Sequence, residues 1–149
     1  YTYGYNPPVF SRRVHDVLTV VAWLNTRKPA AKAIDVVGWR GAGHWVAAAR
    51  AQAGSAVRRA AVDTAGFRFA GLMRLDHPDF LPGGAKYLDV PGVLALSAPE
   101  PLLLLGEEPV EGGPIVATYR AAGAGDQLKF GQVPVAEHGN AIVDWLLRP

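Results

Sequence analysis

Hydrophobic and polar positions follow two different periods along this chain of 149 residues. Residues 11–27 repeat apolar side chains every three or four positions, which predicts an amphipathic helix that Ser11 is expected to cap. Residues 33–39, AIDVVGW, form a short and almost wholly apolar run, which is typical of a strand buried on both faces. The alanine-rich run at residues 44–53 predicts a second helix, and Gly54 is placed to end it. The chain therefore begins as helix, strand and helix.

The same alternation continues after one irregular segment. Residues 59–63 predict a second buried strand, and residues 68–99, rich in Pro, Gly and Asp, predict a long excursion with short helices. The run PLLLLG at residues 101–106 is the clearest strand of the chain. A helix, a short strand and an amphipathic helix are then predicted at residues 113–123, 126–130 and 140–149. Four strands alternating with helices predict one α/β domain over residues 1–149, with a parallel sheet and flanking helices.

Composition and charge narrow the class of protein further. Half of the residues are hydrophobic, 19% are charged and the net charge is +2, which is typical of a globular domain. The absence of cysteine excludes disulfides and cysteine-ligated metals. The arginines are dispersed and form no basic stripe with interleaved aromatics, so we expect no nucleic-acid partner. No apolar run is long enough to cross a bilayer and no signal-peptide pattern is present, so we expect no membrane partner, and the cellular compartment cannot be inferred.

Polar side chains are concentrated where the predicted strands end. Open α/β sheets bind their ligands beyond the carboxyl ends of the strands, so these residues are the first to consider. The first strand ends in GWRGA, a tight glycine turn with Arg40 at its tip. The later strand ends carry, in chain order, Asp63 and Thr64, then Glu107 and Glu108, then His138. The order of elbow, acid and histidine matches the order of the catalytic triad in α/β-hydrolases.

The chain resembles the α/β-hydrolase superfamily, and within it the bacterial acetyl-xylan-esterase and dienelactone-hydrolase-like proteins. The resemblance lies in YTYGYNPPVFSRRVHDVLTVVAWL, DVVGWRGAGHWVAAARA, AAVDTAGFRF and EHGNAIVDWL. It covers most of this chain but only the second half of a family member. It therefore implies the C-terminal part of an α/β-hydrolase-type parallel sheet. A second copy of the chain, a companion chain or a preceding segment would have to cover the open edge of such a sheet.

The resemblance also implies a role for each residue at the strand ends. Arg40 falls where the family places its nucleophilic serine, and the backbone N–H of Gly41 is then an oxyanion donor. His138 falls at the position of the general base, and Glu107 or Glu108 falls near the position of the acid. The remaining residues of the predicted substrate side are Trp39, Asp63 and Thr64. No cofactor is implied, and the histidines lack metal-ligand spacing, so we expect no metal site.

Arg40 is the main departure from the family pattern. A guanidinium stays protonated and has no lone pair with which to attack a carbonyl carbon, so it cannot replace serine in acyl transfer. Arg40 is instead expected to form an ion pair with Glu107, Glu108 or Asp63, or to clamp an anion. The sequence therefore predicts a relative of carboxylic-ester hydrolases, with acetyl-ester or small-ester substrates, that is weakly active or inactive. The alternatives are a non-catalytic association domain, and an active hydrolase completed by another chain or segment.

Overall fold

Four parallel strands form one sheet in the computed structural model, which describes residues 6–147. The strands are β1 (Asp35–Gly38), β2 (Arg59–Asp63), β3 (Leu102–Leu105) and β4 (Leu128–Phe130), and they are adjacent in chain order. Val37 pairs in register with Ala61, and Ala61 pairs with Leu103. The predicted α/β class, with a parallel sheet flanked by helices, is confirmed.

Five α-helices in the described part of the chain surround this sheet. They are α1 (Val9–Thr26), α2 (Gly43–Ala53), α3 (Asp89–Ala95), α4 (Pro114–Ala121) and α5 (His138–Leu147). Short 3-10 turns lie at Gly54–Ala56, Phe69–Gly71, Gly125–Gln127 and Val135–Glu137. No helix among residues 6–147 has both the length and the apolar character that a membrane span requires.

The helix boundaries lie within two residues of the prediction, and the starts of α1 and α5 are among those that differ. Helix α1 begins at Val9, and Pro8 rather than Ser11 is its N-cap. Pro8 has an extended ψ of 149° and makes no side-chain cap hydrogen bond, so α1 begins without the side-chain cap that Ser11 was expected to provide. Helix α5 begins at His138, two residues earlier than predicted, because a 3-10 turn leads directly into it. Residues 148–149 of the predicted terminal helix lie outside the described residues.

The two faces of the sheet are covered unequally. Side chains alternate between the faces along each strand, so Val62 and Leu104 point to one side and Ala61 and Leu103 to the other. The first pair belongs to a large core that includes residues of α1, α2, α3 and α4. The second pair belongs to a smaller core, in which Ile142 of α5 is the buried helix residue. Burying each large apolar side chain contributes roughly 1.5–3 kcal/mol, so the first face holds most of the hydrophobic stabilisation.

A buried arginine lies near the amino-terminal ends of the strands, opposite the predicted site. The Arg50 guanidinium donates to the carbonyl oxygens of Gly54 and Val57, which connect α2 to β2. Tyr119 donates its hydroxyl to the carbonyl oxygen of Glu100 at 2.8 Å, just before β3. Burial lowers the pKa of Arg50 and raises the pKa of Tyr119. These groups join helices to the strand starts and have a structural role.

The first turn of α2 lies directly against the end of β2. A Cβ placed on Gly43 would lie 1.9 Å from the carbonyl oxygen of Asp63, and a Cβ on Gly38 would lie 2.8 Å from the Cα of Gly43. Backbone atoms occupy both positions, so a rotamer change cannot relieve either clash. Glycine is therefore required at both positions for α2 to pack on the sheet.

We expect Gly43→Ala to destabilise the fold by about 3 kcal/mol, the upper end of the usual range for overpacking, because the added methyl group would push α2 away from β2. Gly125→Ala is the matched control, since a Cβ at Gly125 meets no atom within 4 Å. Urea unfolding followed by circular dichroism would measure both free energies of unfolding. Equal stability of the two variants would contradict the close packing of α2 on β2.

Candidate functional site

The turn between β1 and α2 is a tight elbow with two left-handed residues. Arg40 has φ of 52° and Gly41 has φ of 92°. Glycine adopts such a φ without cost, but a residue with a Cβ is disfavoured there by about 1–2 kcal/mol. The predicted strand–turn–helix is therefore present, and its tip residue is held in a strained backbone conformation.

The side chain of Arg40 stacks on its neighbour and forms no ion pair within residues 6–147. Its guanidinium carbon lies 4.7 Å from the centre of the Trp39 ring, which is cation–π distance. The expected ion pairs with Glu107, Glu108 or Asp63 are not formed. Asp63 and Glu107 bind other groups instead. Arg40 is thus an exposed cation at the tip of the elbow.

His138 is paired with a buried carboxylate at the end of β2. Its Nδ1 lies 2.9 Å from Oδ2 of Asp63, and both residues are at most 6% exposed. The other oxygen of Asp63 accepts the backbone N–H of Ala65 at 2.9 Å, which fixes the carboxylate. The acid that contacts His138 is therefore Asp63, not Glu107 or Glu108. The resemblance pointed instead to the loop after β3.

Glu107 belongs to a second polar network at the same edge of the sheet. Arg68 donates to both of its carboxylate oxygens at 2.7 Å, and the hydroxyl of Thr64 donates to Oε1 at 2.6 Å. The Glu107 side chain is only 4% exposed. The side-chain hydrogen bond to Glu107 raises the pKa of Arg68. Both carboxylate oxygens of Glu107 therefore already accept hydrogen bonds. The Thr64 hydroxyl is buried in this network and is not free to act as a nucleophile.

The elbow lies next to the loop that carries His138. A Cβ placed on Gly139 would lie 3.0 Å from the Trp39 ring, so the indole packs directly on the backbone that follows His138. Gly106 packs on Asp63, since a Cβ there would lie 3.0 Å from Oδ1 of Asp63. The structure therefore brings the elbow, Asp63 and His138 into one cluster, which we call the elbow site. Glu108 has no hydrogen bond or ion pair in the described part of the chain and lies outside this site.

A second histidine–aspartate contact links α2 to the irregular segment at residues 68–99. His44 is buried and stacks on Phe67, with ring centres 4.1 Å apart. Its Nε2 lies 2.9 Å from Oδ1 of Asp79, without hydrogen-bond alignment, and that oxygen accepts the indole N–H of Trp45 at 2.7 Å. His77 lies 3.8 Å from the same carboxylate. Across residues 6–147, no group of three or more His, Asp or Glu side chains could hold a metal ion.

The sequence did not predict the roles of Arg68, which binds Glu107, and Asp79, which links the irregular segment to α2. Arg68 is 39 residues from Glu107, and Asp79 is 34 residues from Trp45. Such long separations leave no pattern in the neighbouring sequence from which either pairing could be predicted. Comparisons of the chain with protein-family models, with curated proteins and with solved structures found no match.

We expect Arg40→Gly to be about 1 kcal/mol more stable than Arg40→Ala, because only glycine adopts the left-handed φ at the tip without strain. Both variants lose the guanidinium and its contact with Trp39, so their difference isolates the backbone term. Denaturant unfolding under identical conditions would measure it. An alanine variant as stable as the glycine variant would show that the elbow is not strained at this position.

Proposed function

We propose that this chain is an α/β-hydrolase-type domain related to carboxylic-ester hydrolases, in which the acid–histidine pair is kept and the nucleophile is lost. The observation that carries the proposal is the buried Asp63–His138 contact beside a strained strand–turn–helix elbow. Arg40 stands at the tip of that elbow, where the resemblance expects serine. The domain accordingly has weak or no ester-cleaving activity.

The geometry of the pair suits a general base. When the imidazole is neutral, an ionised Asp63 favours the proton on Nδ1, and Nε2 is then the acceptor. In a serine esterase, that nitrogen takes the serine proton as the oxygen attacks the ester carbonyl carbon. It later gives the proton to the departing alcohol, so the base is restored. With arginine at the tip, no attacking oxygen is present, and the pair has no proton to remove.

The class of substrate follows from the same resemblance. Acetyl and other small carboxylic esters are the substrates that it implies, and we propose them for the ancestral activity of the elbow site. The uncharged carbonyl of such an ester needs a hydrogen-bond donor for the oxyanion that forms on attack. The backbone N–H of Gly41, next to the tip, is our proposed donor.

We expect the native protein to show no turnover of p-nitrophenyl acetate above buffer, and Arg40→Ser to raise turnover at least about tenfold. A serine restores the missing nucleophile, and losing one triad member lowers rates by orders of magnitude. The gain should disappear in Arg40→Ser with His138→Ala and in Arg40→Ser with Asp63→Asn. Arg40→Ala is the matched control, because it removes the same charge without adding a hydroxyl.

Two outcomes would count against this proposal. Turnover by the native protein that is lost on His138→Ala would show an active enzyme with a different nucleophile. A folded but inactive Arg40→Ser variant would show that the elbow and His138 are not arranged for acyl transfer. Circular dichroism of each variant would separate that result from misfolding.

The exposed edge at β1 favours association as a second function. Within residues 6–147, β1 pairs only with β2, so its outer backbone groups have no strand partner. Val37 shares a sheet face with Ala61, which α5 covers, yet Val37 is 40% exposed. An apolar residue on an unpaired strand edge is a site for pairing with another chain. We propose that a second copy of the chain occupies this edge.

We expect sedimentation velocity to show a dimer that dissociates on dilution, and Val37→Lys to favour the monomer. A lysine on the exposed face of β1 would oppose pairing through charge and desolvation. Leu96→Lys is the control, because Leu96 is an exposed apolar residue at the end of α3, and α3 packs on the opposite face of the sheet from Val37. A native protein that stays monomeric at every concentration would exclude self-association at this edge.

A further inference from the structure

A small cleft lies beyond the carboxyl ends of β3 and β4, outside the elbow site. Its volume is about 280 Å³, near the lower end of the range for small-ligand clefts. Gly106 and Phe130, at the ends of the two strands, form part of its lining, and the start of α4 forms another part. Ligands of open α/β sheets bind on this side of the strands, so the position is one that this fold commonly uses.

The walls of the cleft are mainly apolar. Val110, Ile115, Val116 and Phe130 contribute side chains to the lining. Ile115 is buried in the core of the domain, so this wall is anchored to the sheet. A hydrocarbon chain placed between these residues would be removed from water, which is favourable by roughly 0.8 kcal/mol for each buried CH₂ group.

The charged groups of the lining are Arg68, Glu107 and Glu108. Arg68 and Glu107 neutralise each other through two hydrogen bonds of 2.7 Å, and the Glu107 carboxylate also accepts from Thr64. Glu108 is exposed and has neither an ion pair nor a hydrogen bond with any other described residue. The uncompensated charge of the cleft is therefore negative, and it lies beside an apolar wall.

We propose that this cleft binds a small primary amine with an apolar chain, with its ammonium group at Glu108 and its chain against Ile115 and Phe130. The charge of the lining complements a cation. It disfavours a carboxylate, because the guanidinium of Arg68 is already neutralised by Glu107. This site is independent of the elbow site, so its occupancy does not require the ester chemistry proposed above.

Nuclear magnetic resonance titration of the whole chain would test the proposal with three probes of equal length: hexylammonium, 1-hexanol and hexanoate. We expect hexylammonium to shift the backbone amide signals of residues that line the cleft. Hexanol should bind at the same place about two- to fivefold more weakly, as expected for the loss of one exposed ion pair. Hexanoate should bind more weakly than hexanol.

Two variants assign the effect to the charge and to the cleft. Glu108→Gln should remove the advantage of hexylammonium over hexanol, because it removes the uncompensated charge and keeps the side-chain size. Glu111→Gln is the matched control, since Glu111 lies three residues away and pairs with Arg120. Val110→Trp should weaken all three probes by filling the cleft, and Val110 is exposed enough to accept a larger side chain.

The proposal would be overturned by any of three results. One is that no probe shifts the signals of the lining residues. Another is that hexanoate binds as well as hexylammonium. The third is that the preference for hexylammonium survives in Glu108→Gln while the spectrum shows a folded protein. None of these results depends on ester turnover, so they leave the proposed function of the elbow site unaffected.

Discussion

The close contact between the first turn of α2 and the carbonyl end of β2 is the constraint on which the elbow site depends. Gly43 has no Cβ, and only for that reason can the helix backbone approach the Asp63 carbonyl. The approach sets the position of the elbow relative to the end of β2. Because Asp63 ends that strand and its carboxylate binds His138, the same contact determines how near the elbow lies to the acid–histidine pair.

The distribution of charge at the strand ends explains why neither Asp63 nor Glu107 pairs with Arg40. Asp63 and Glu107 are both buried, and a buried carboxylate needs hydrogen-bond donors to offset its lost hydration. Asp63 contacts His138 and accepts the Ala65 backbone N–H, and Glu107 accepts hydrogen bonds from Arg68 and Thr64. An ion pair with Arg40 would require one of these groups to give up a partner. The exposed guanidinium instead stacks on Trp39.

The sequence was sufficient to predict the fold class because the fold class follows from local patterns. Short apolar runs and glycine turns placed all four strands, and alternation with helices predicted the parallel sheet. The partner of His138 was not predictable in the same way. Asp63 and His138 are 75 residues apart, and Glu107 was an equally suitable acid by residue type. Only the three-dimensional structure shows that Arg68, from the irregular excursion, engages Glu107 and leaves Asp63 with the histidine.

The separation of the two polar networks has a simple cause in strand geometry. Successive residues of an extended chain point to opposite faces, so Asp63 and Thr64 direct their side chains to different sides of the sheet. The Thr64 backbone N–H still donates to the Leu105 carbonyl at 3.0 Å, which keeps the chain extended at this point. Asp63 therefore faces His138 at the start of α5, while Thr64 faces Glu107. The step from Asp63 to Thr64 at the end of β2 therefore places the two acids in separate networks, Asp63 with His138 and Glu107 with Thr64 and Arg68.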